Sequence, residues 1–462
     1  MRPIARYGFL GNVRKLLSQA AFFIDAKESG MGQTATNLGT AGSVLDAQYG
    51  STTGADTNDP LLLEHDGTNY LYLPGSSGNY ASLPDANFMP VADWECIVGM
   101  APGSDWATTS FGAFCGNTNQ TSTGFRFSTG NGVPRLALSW WDTGTASFRT
   151  VGANADSAAG TDLRYVRVTL DVDNGAAGCD TAFYTGSTVS GPWTQIGTTV
   201  TTATVANPGY SAAAGQGFGI GSQKGDQFQN GLLGSYHRVV IRSAGATIAD
   251  INFTTGITSG GQTTFTESSS NAATVTINRS TSGRKSVAVA RDVWLFGTDD
   301  YMQVADNDLL DFGASDSFTV VAVTRSWATG GGGQTVIAKQ NLPGGTNAGY
   351  SLYRLTGGIV ATVADGSVAP FTQTADVALG SLAVSSFVRD VAADLIRPYM
   401  GTTALATATD TTTGSLANAQ PLQVGRGGVG IYADMELLGV AVFRRALSAD
   451  ELTSIANYYG AS

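Results

Sequence analysis

Beyond the first two dozen residues, apolar and polar positions alternate with a period of two, in short runs broken by Gly, Asn, Asp and Ser. In Arg164–Leu170, Val166, Val168 and Leu170 fall on one face, and Tyr165, Arg167 and Thr169 fall on the other. That is a strand with one buried side. It leads through Asp171 to Gly178, where Asn174-Gly175 can take the positive φ of a tight hairpin turn, into a second strand at Thr181–Thr185. Ser317–Thr324 is another clear strand. Helical spacing is confined to the two ends. Phe9, Leu10, Val13, Leu16, Leu17 and Ala20 keep i, i+3, i+4 spacing and predict a short helix despite Gly11. Near the C-terminus, Ser448 and Glu451 form an S-x-x-E capping box, Leu452, Ile455, Ala456 and Tyr459 form a buried stripe, and Gly460 ends the helix. Many short strands without a long helix call for an architecture that protects strand edges, and a two-sheet sandwich is the default.

The pattern repeats. Asn79–Asp85 (NYASLPD) corresponds to Asp300–Asp306 (DYMQVAD), Phe183–Gly186 to Pro398–Gly401, and Leu232–Gly234 to Leu437–Gly439. The offset shrinks along the chain, from 221 residues between Tyr80 and Tyr301 to 205 between Leu233 and Leu438, as loop shortening on a shared scaffold produces. The expected organisation is a basic amphipathic arm over residues 1–20, one sandwich over 21–245 and a second over 246–462, with Tyr80 and Tyr301 in equivalent positions.

Composition narrows the function. A chain of 462 residues that is 42% apolar and 13% charged is not disordered, and 60 glycines fit a turn-rich all-β protein. A formal charge of -11 leaves no basic face for a nucleic-acid backbone. The basic residues are 20 arginines to 5 lysines, a bias that hints at a GC-rich coding sequence. Cys96, Cys115 and Cys179 have no metal or redox spacing and read as buried thiols. No apolar run reaches the ~20 residues of a membrane span, and Ser18 and Gln19 interrupt the only signal-like segment.

The string Leu437–Leu452 (LLGVAVFRRALSADEL) resembles the closing strand and helix of laminin G-like, concanavalin A-like jelly rolls, and the strands at Asn79–Asp85 and Asp300–Asp306 resemble their opening strands. Asn37–Gly42, Asp171–Gly175, Ser190–Gly197 and Val293–Tyr301 are similar to phrases in the tandem laminin G-like minor tail proteins of tailed phages of actinobacteria. The resemblance implies a structural protein of the phage tail or tail tip, made in the host cytoplasm and mounted as a multimer in the virion. It would bind other tail proteins through its arm and a glycan of the host surface. A capsid decoration protein and a secreted carbohydrate-binding module are the alternatives.

Catalysis is not expected. Glycoside hydrolysis needs two carboxylates flanking the bond, whereas Asp93 with Glu95 and Asp434 with Glu436 read as solvated strand residues. His65 and His237, the only histidines, lie near no nucleophile motif, and His237 reads as an ordinary strand residue. No cofactor is expected. Calcium is the one metal weighed, with Asp171, Asp173, Asp299 and Asp300 as candidate ligands, though turn and loop carboxylates explain all four. For sugar stacking the candidates are Trp106, Trp140, Trp141 and Trp193. Trp140 and Trp141 are adjacent, so on a strand only one of them can enter the core. For attachment the candidates are Arg2, Arg6, Arg14 and Lys15, on an arm expected to be dispensable for folding.

Overall fold

The computed structural model describes the chain except residues 1–11, 29–31, 85–91, 103–111, 119–123, 131–132, 157–161, 210–216, 225–230, 282, 327–332, 356–357, 374–377, 429 and 461–462. The expected strands are present. Arg164–Asp171 alternates buried and half-buried positions, and Phe318–Ser326 is buried throughout. Four large sheets of nine, eight, nine and eight strands are paired antiparallel, so the protein is all-β and built of two jelly-roll sandwiches.

The division into units departs from a cut at residue 245. One compact unit comprises residues 65–281 and 285–291; the other comprises 1–64, 282–284 and 292–462. The first unit is therefore inserted into the second, which is split. In the inserted unit the seven-strand main path of the nine-stranded sheet runs Trp193–Gln195, Cys179–Gly186, Arg164–Asp171, Trp94–Pro102, Gly234–Ser243, Tyr70–Leu73, Val287–Val289. In the split unit it runs Thr403–Ala404, Leu395–Met400, Leu382–Asp390, Phe318–Ser326, Met435–Phe443, Val293–Phe296, Leu61–Leu63. These orders match strand for strand, and so do the two eight-stranded sheets. Tyr80 and Tyr301 each precede the residue (Ala81 or Met302) that pairs with the equivalent strand (Ile220 or Val424), so they are equivalent as the repeat implies.

The match also shows what is exchanged. Phe22–Asp25 pairs with Met435–Phe443 of the split unit, and its counterpart Ala246–Asn252 pairs with Gly234–Ser243 of the inserted unit. The opening segment of each repeat thus completes the body of the other repeat. Apolar side chains explain why the segments are held. Phe22, Ile24, Leu45, Ala47 and Tyr49 belong to the core of the split unit, while Ile251, Phe253, Ile257, Val275 and Ile277 belong to that of the inserted unit.

The helices near the two ends of the chain belong to the split unit. Residues 12–17 are helical, with Val13 and Leu17 buried. Ala449–Tyr459 has the predicted capping box, ends on Gly460 at φ +70, and buries Leu452, Ile455, Ala456 and Tyr459. Tyr459 donates its hydroxyl to Asp25 Oδ2 at 2.9 Å, and burial raises the Asp25 pKa from its ordinary value. The three cysteines are free and buried, with Cys96 Sγ 3.5 Å from Cys115 Sγ. Among the described residues no helix is long and apolar enough to cross a membrane.

Candidate functional site

The two matching nine-stranded sheets differ most on the face turned away from the core. In the split unit this face carries Val321, Val323, Val384, Val388, Ala441 and Phe443, all buried. Helix Ala449–Tyr459 packs there: a Cβ added at Gly439 would lie 2.7 Å from the Tyr459 hydroxyl. In the same rows of the inserted unit Ile97 and Val240 stay buried and apolar, but Tyr165 stands where the split unit has Val384 and Arg242 where it has Phe443.

Register defines those rows. Thr169, Glu95 and Arg242 are direct neighbours across three strands; Ile97, Arg167, Tyr184 and Gln195 form the next row, and Gly99, Tyr165, Gly186 and Trp193 the one beyond. Two glycines provide the floor. The Tyr165 ring crosses Gly99 so closely that a Cβ there would meet its Cε1 at 2.4 Å, and a Cβ at Gly186 would meet the Trp193 ring at 3.0 Å. Tyr165, Tyr184 and Trp193 are all half-buried, so each presents part of its ring. The Arg167 guanidinium lies between them, 5.1 Å from the Tyr184 ring centre and 5.6 Å from that of Trp193, within cation–π range.

Glu95 organises the polar side of this platform. Its Oε2 lies 2.5 Å from Arg167 Nε, and its Oε1 accepts a hydrogen bond from Arg242. One carboxylate therefore sets the direction of two guanidinium groups. Arg238 pairs with Asp250 through two bonds of 2.7 Å on the neighbouring strand pair. Next to the Glu95 pairs lies a cavity of about 280 Å³, lined by Asp93, Glu95, Thr169, Asp171, Arg167 and Arg242 together with Trp94 and Leu170. Carboxylate acceptors and guanidinium donors in the depression, with ring faces on the same sheet face beside Arg167, match the hydroxyl rim and apolar face of a pyranose. Both Glu95 oxygens are committed to arginines, an arrangement suited to positioning rather than proton transfer.

The sequence candidates are scattered by the fold. Trp193 and Asp171 both lie on this sheet, one on the aromatic platform and the other in the cavity lining. Trp140 is fully buried in the core and is corrected as a ligand contact; Trp141, on the opposite side of the strand, is half-buried beside Phe148. Trp106, Arg2 and Arg6 lie outside the described residues. Asp171 accepts from the Asp173 amide at 3.2 Å and Asp173 from the Gly175 amide at 3.1 Å, so both carboxylates shape the hairpin turn. Asp300 is buried and held by two bonds from Arg284, 3.0 and 3.1 Å, and one from the Gly297 amide. Those donors occupy the oxygens a cation would use. Asp299 is exposed, and the Asn58 amide reaches its backbone oxygen at 3.2 Å. Arg14 pairs with Glu28 on the split unit, and Lys15 is exposed. Asp434 and Glu436 are buried, not solvated, because Glu436 pairs with buried Arg325. His237 is buried and stacks on Tyr70 at 5.4 Å.

Tyr165 and Arg167 were legible as the outward face of a strand, but Glu95, Tyr184 and Arg242 lie far away in sequence. Only pairing of the strands unites them.

No protein-family model matches the chain, and no curated protein sequence matches it. Solved structures resemble it distantly. The botulinum neurotoxin serotype G binding domain is 9% identical over 37% of this chain, with a TM-score of 0.32, and the match spans 44% of that domain's own length. Mouse laminin α1 domains LG4-5 are 10% identical over 86% of this chain and 96% of theirs, with a TM-score of 0.31. The CBM40 of Ruminococcus gnavus IT-sialidase, bound to α2,3-sialyllactose, is 14% identical over 30% of this chain and 83% of its own, with a TM-score of 0.27.

Proposed function

We propose that this chain is a non-catalytic virion protein of a tailed phage, carried on the tail or tail tip, and that its inserted unit binds a glycan of the host surface. The observation that carries the glycan reading is the Tyr165–Tyr184–Trp193 platform around Arg167, beside the cavity at Glu95, on the face that the other repeat seals with a helix. The phage setting is supported by the resemblance at Asn37–Gly42, Asp171–Gly175, Ser190–Gly197 and Val293–Tyr301. The arm is proposed to contribute to attachment through Arg2, Arg6 and Lys15.

Two measurements test the reading. Binding of the purified chain to host cell-wall polysaccharide should fall by roughly tenfold or more in Trp193→Ala and in Arg167→Ala, since burying an aromatic or arginine anchor is worth about 1.4 kcal/mol or more. Unchanged binding by both variants would remove the face from the account. Antibody labelling of intact particles should decorate the tail; labelling confined to the capsid shell would favour a decoration protein.

A further inference from the structure

A second cavity belongs to the split unit, not to the inserted one, and is independent of the glycan reading. It has a volume of about 310 Å³ and is lined by Gln33, Tyr49, Asp56, Asp59, Arg284 and the strand that starts at Leu61. Asp59 is only 9% exposed. Its Oδ2 accepts from the Asp56 amide at 3.0 Å, but its buried Oδ1 has no hydrogen-bond partner, and neither does the buried Oε1 of Gln33. Two buried acceptors without donors on one cavity are an unbalanced arrangement that a donor or a cation would satisfy.

The backbone brings a second carboxylate to the same place. At Gly50, with φ +56, a Cβ would lie 2.6 Å from Asp59 Oδ1 and 3.1 Å from Asp56 Oδ1, so the two oxygens are no farther apart than the sum of these distances. Asp56 also accepts from the Asn58 amide at 2.8 Å and the Thr52 hydroxyl at 3.0 Å. Arg284 turns its guanidinium to Asp300 and to the backbone carbonyl of Asp59, the latter at 2.6 Å. Its charge is therefore matched by Asp300, leaving the two converging carboxylates as negative charge at the cavity.

We propose that this cavity binds a hard divalent cation, Ca²⁺, through Asp59 Oδ1, Asp56 Oδ1 and Gln33 Oε1. Oxygen donors alone suit calcium, whereas zinc prefers the thiolate and imidazole groups that this lining lacks. Among the described residues no three acidic, histidine or cysteine side chains group around a metal position, so water in the remaining volume completes the coordination. Two carboxylates and an amide imply weak binding, with Kd on the order of 10⁻⁴–10⁻³ M.

Terbium titration of the full chain tests this, because Tyr49 lines the cavity and its hydroxyl accepts from Trp294 Nε1 at 2.8 Å, placing a sensitising pair at the site. Saturable Tb³⁺ emission displaced by Ca²⁺ is expected, with affinity reduced tenfold or more in Asp59→Asn and in Asp56→Asn. Gly50→Ala keeps both carboxylates but forces Asp59 Oδ1 away, so it should weaken binding as well. Emission that Ca²⁺ does not displace, or wild-type affinity in a natively folded Asp59→Asn chain, overturns the proposal. Should Asp59→Asn fail to fold, half-buried Asp56 carries the same decision: unchanged Ca²⁺ displacement in Asp56→Asn overturns it.

Discussion

Cutting the chain where its repeats meet should leave both sandwiches incomplete, whereas excising the inserted unit, residues 65–291, should keep that unit whole. A fragment of residues 246–462 contains the whole second repeat but lacks the segment that completes its body. Phe22, Ile24, Leu45 and Tyr49 are buried in that core. At about 1.5–3 kcal/mol for each large apolar side chain buried, the missing segment removes roughly 6–12 kcal/mol. The whole net stability of a domain is about 5–15 kcal/mol. The loss also strips Phe22–Asp25 from its pairing with Gly439–Val442, leaving backbone groups of Met435–Phe443 without their partners. The fragment should therefore lack near-ultraviolet circular dichroism and show no cooperative urea transition. By contrast, residues 65–291 hold both opposing sheets of the inserted unit, with Ile251, Phe253 and Val275 present in its core, and should unfold cooperatively. Cooperative unfolding of 246–462 with a stability comparable to that of 65–291 would refute the exchange.

Two further outcomes follow from particular side chains. Deleting residues 1–19 removes buried Val13 and Leu17, so the split unit should lose up to about 3–6 kcal/mol, read as a lower urea midpoint with the inserted unit unaffected; an unchanged midpoint would show the helix to be a passenger. Burial lowers the His237 pKa below its ordinary 6.5, so the unfolded chain takes up the proton first, and the stabilising term present above pH ~6.5 is lost as pH falls towards the lower folded value. His237→Phe, which keeps a ring against Tyr70, should flatten that part of the stability profile measured by denaturation at several pH values.

Much of this protein can be read in one dimension. Period-two runs such as Arg164–Leu170 specify strands and their buried faces, because side chains on a pleated strand alternate whatever lies opposite. The capping box at Ser448 and Glu451 is likewise local, made by bonds across one helical turn. The recurrence of Tyr80 at Tyr301 marks two copies of one scaffold. Sequence reasoning picked Trp193 as a sugar contact and put Tyr165 and Arg167 on one face of a strand, yet it could not foresee that Glu95 would join Arg167 to Arg242, since register brings together residues that the chain separates by tens of positions. Nor could it decide which opening segment closes which body. Both segments put apolar residues at the same inward positions, Phe22 and Ile24 in one and Ala249 and Ile251 in the other, so that inward pattern is indifferent between the two bodies. The choice belongs to the tertiary structure, where Phe22 and Ile24 enter the core of the distant repeat and Ile251 and Phe253 enter that of the preceding one.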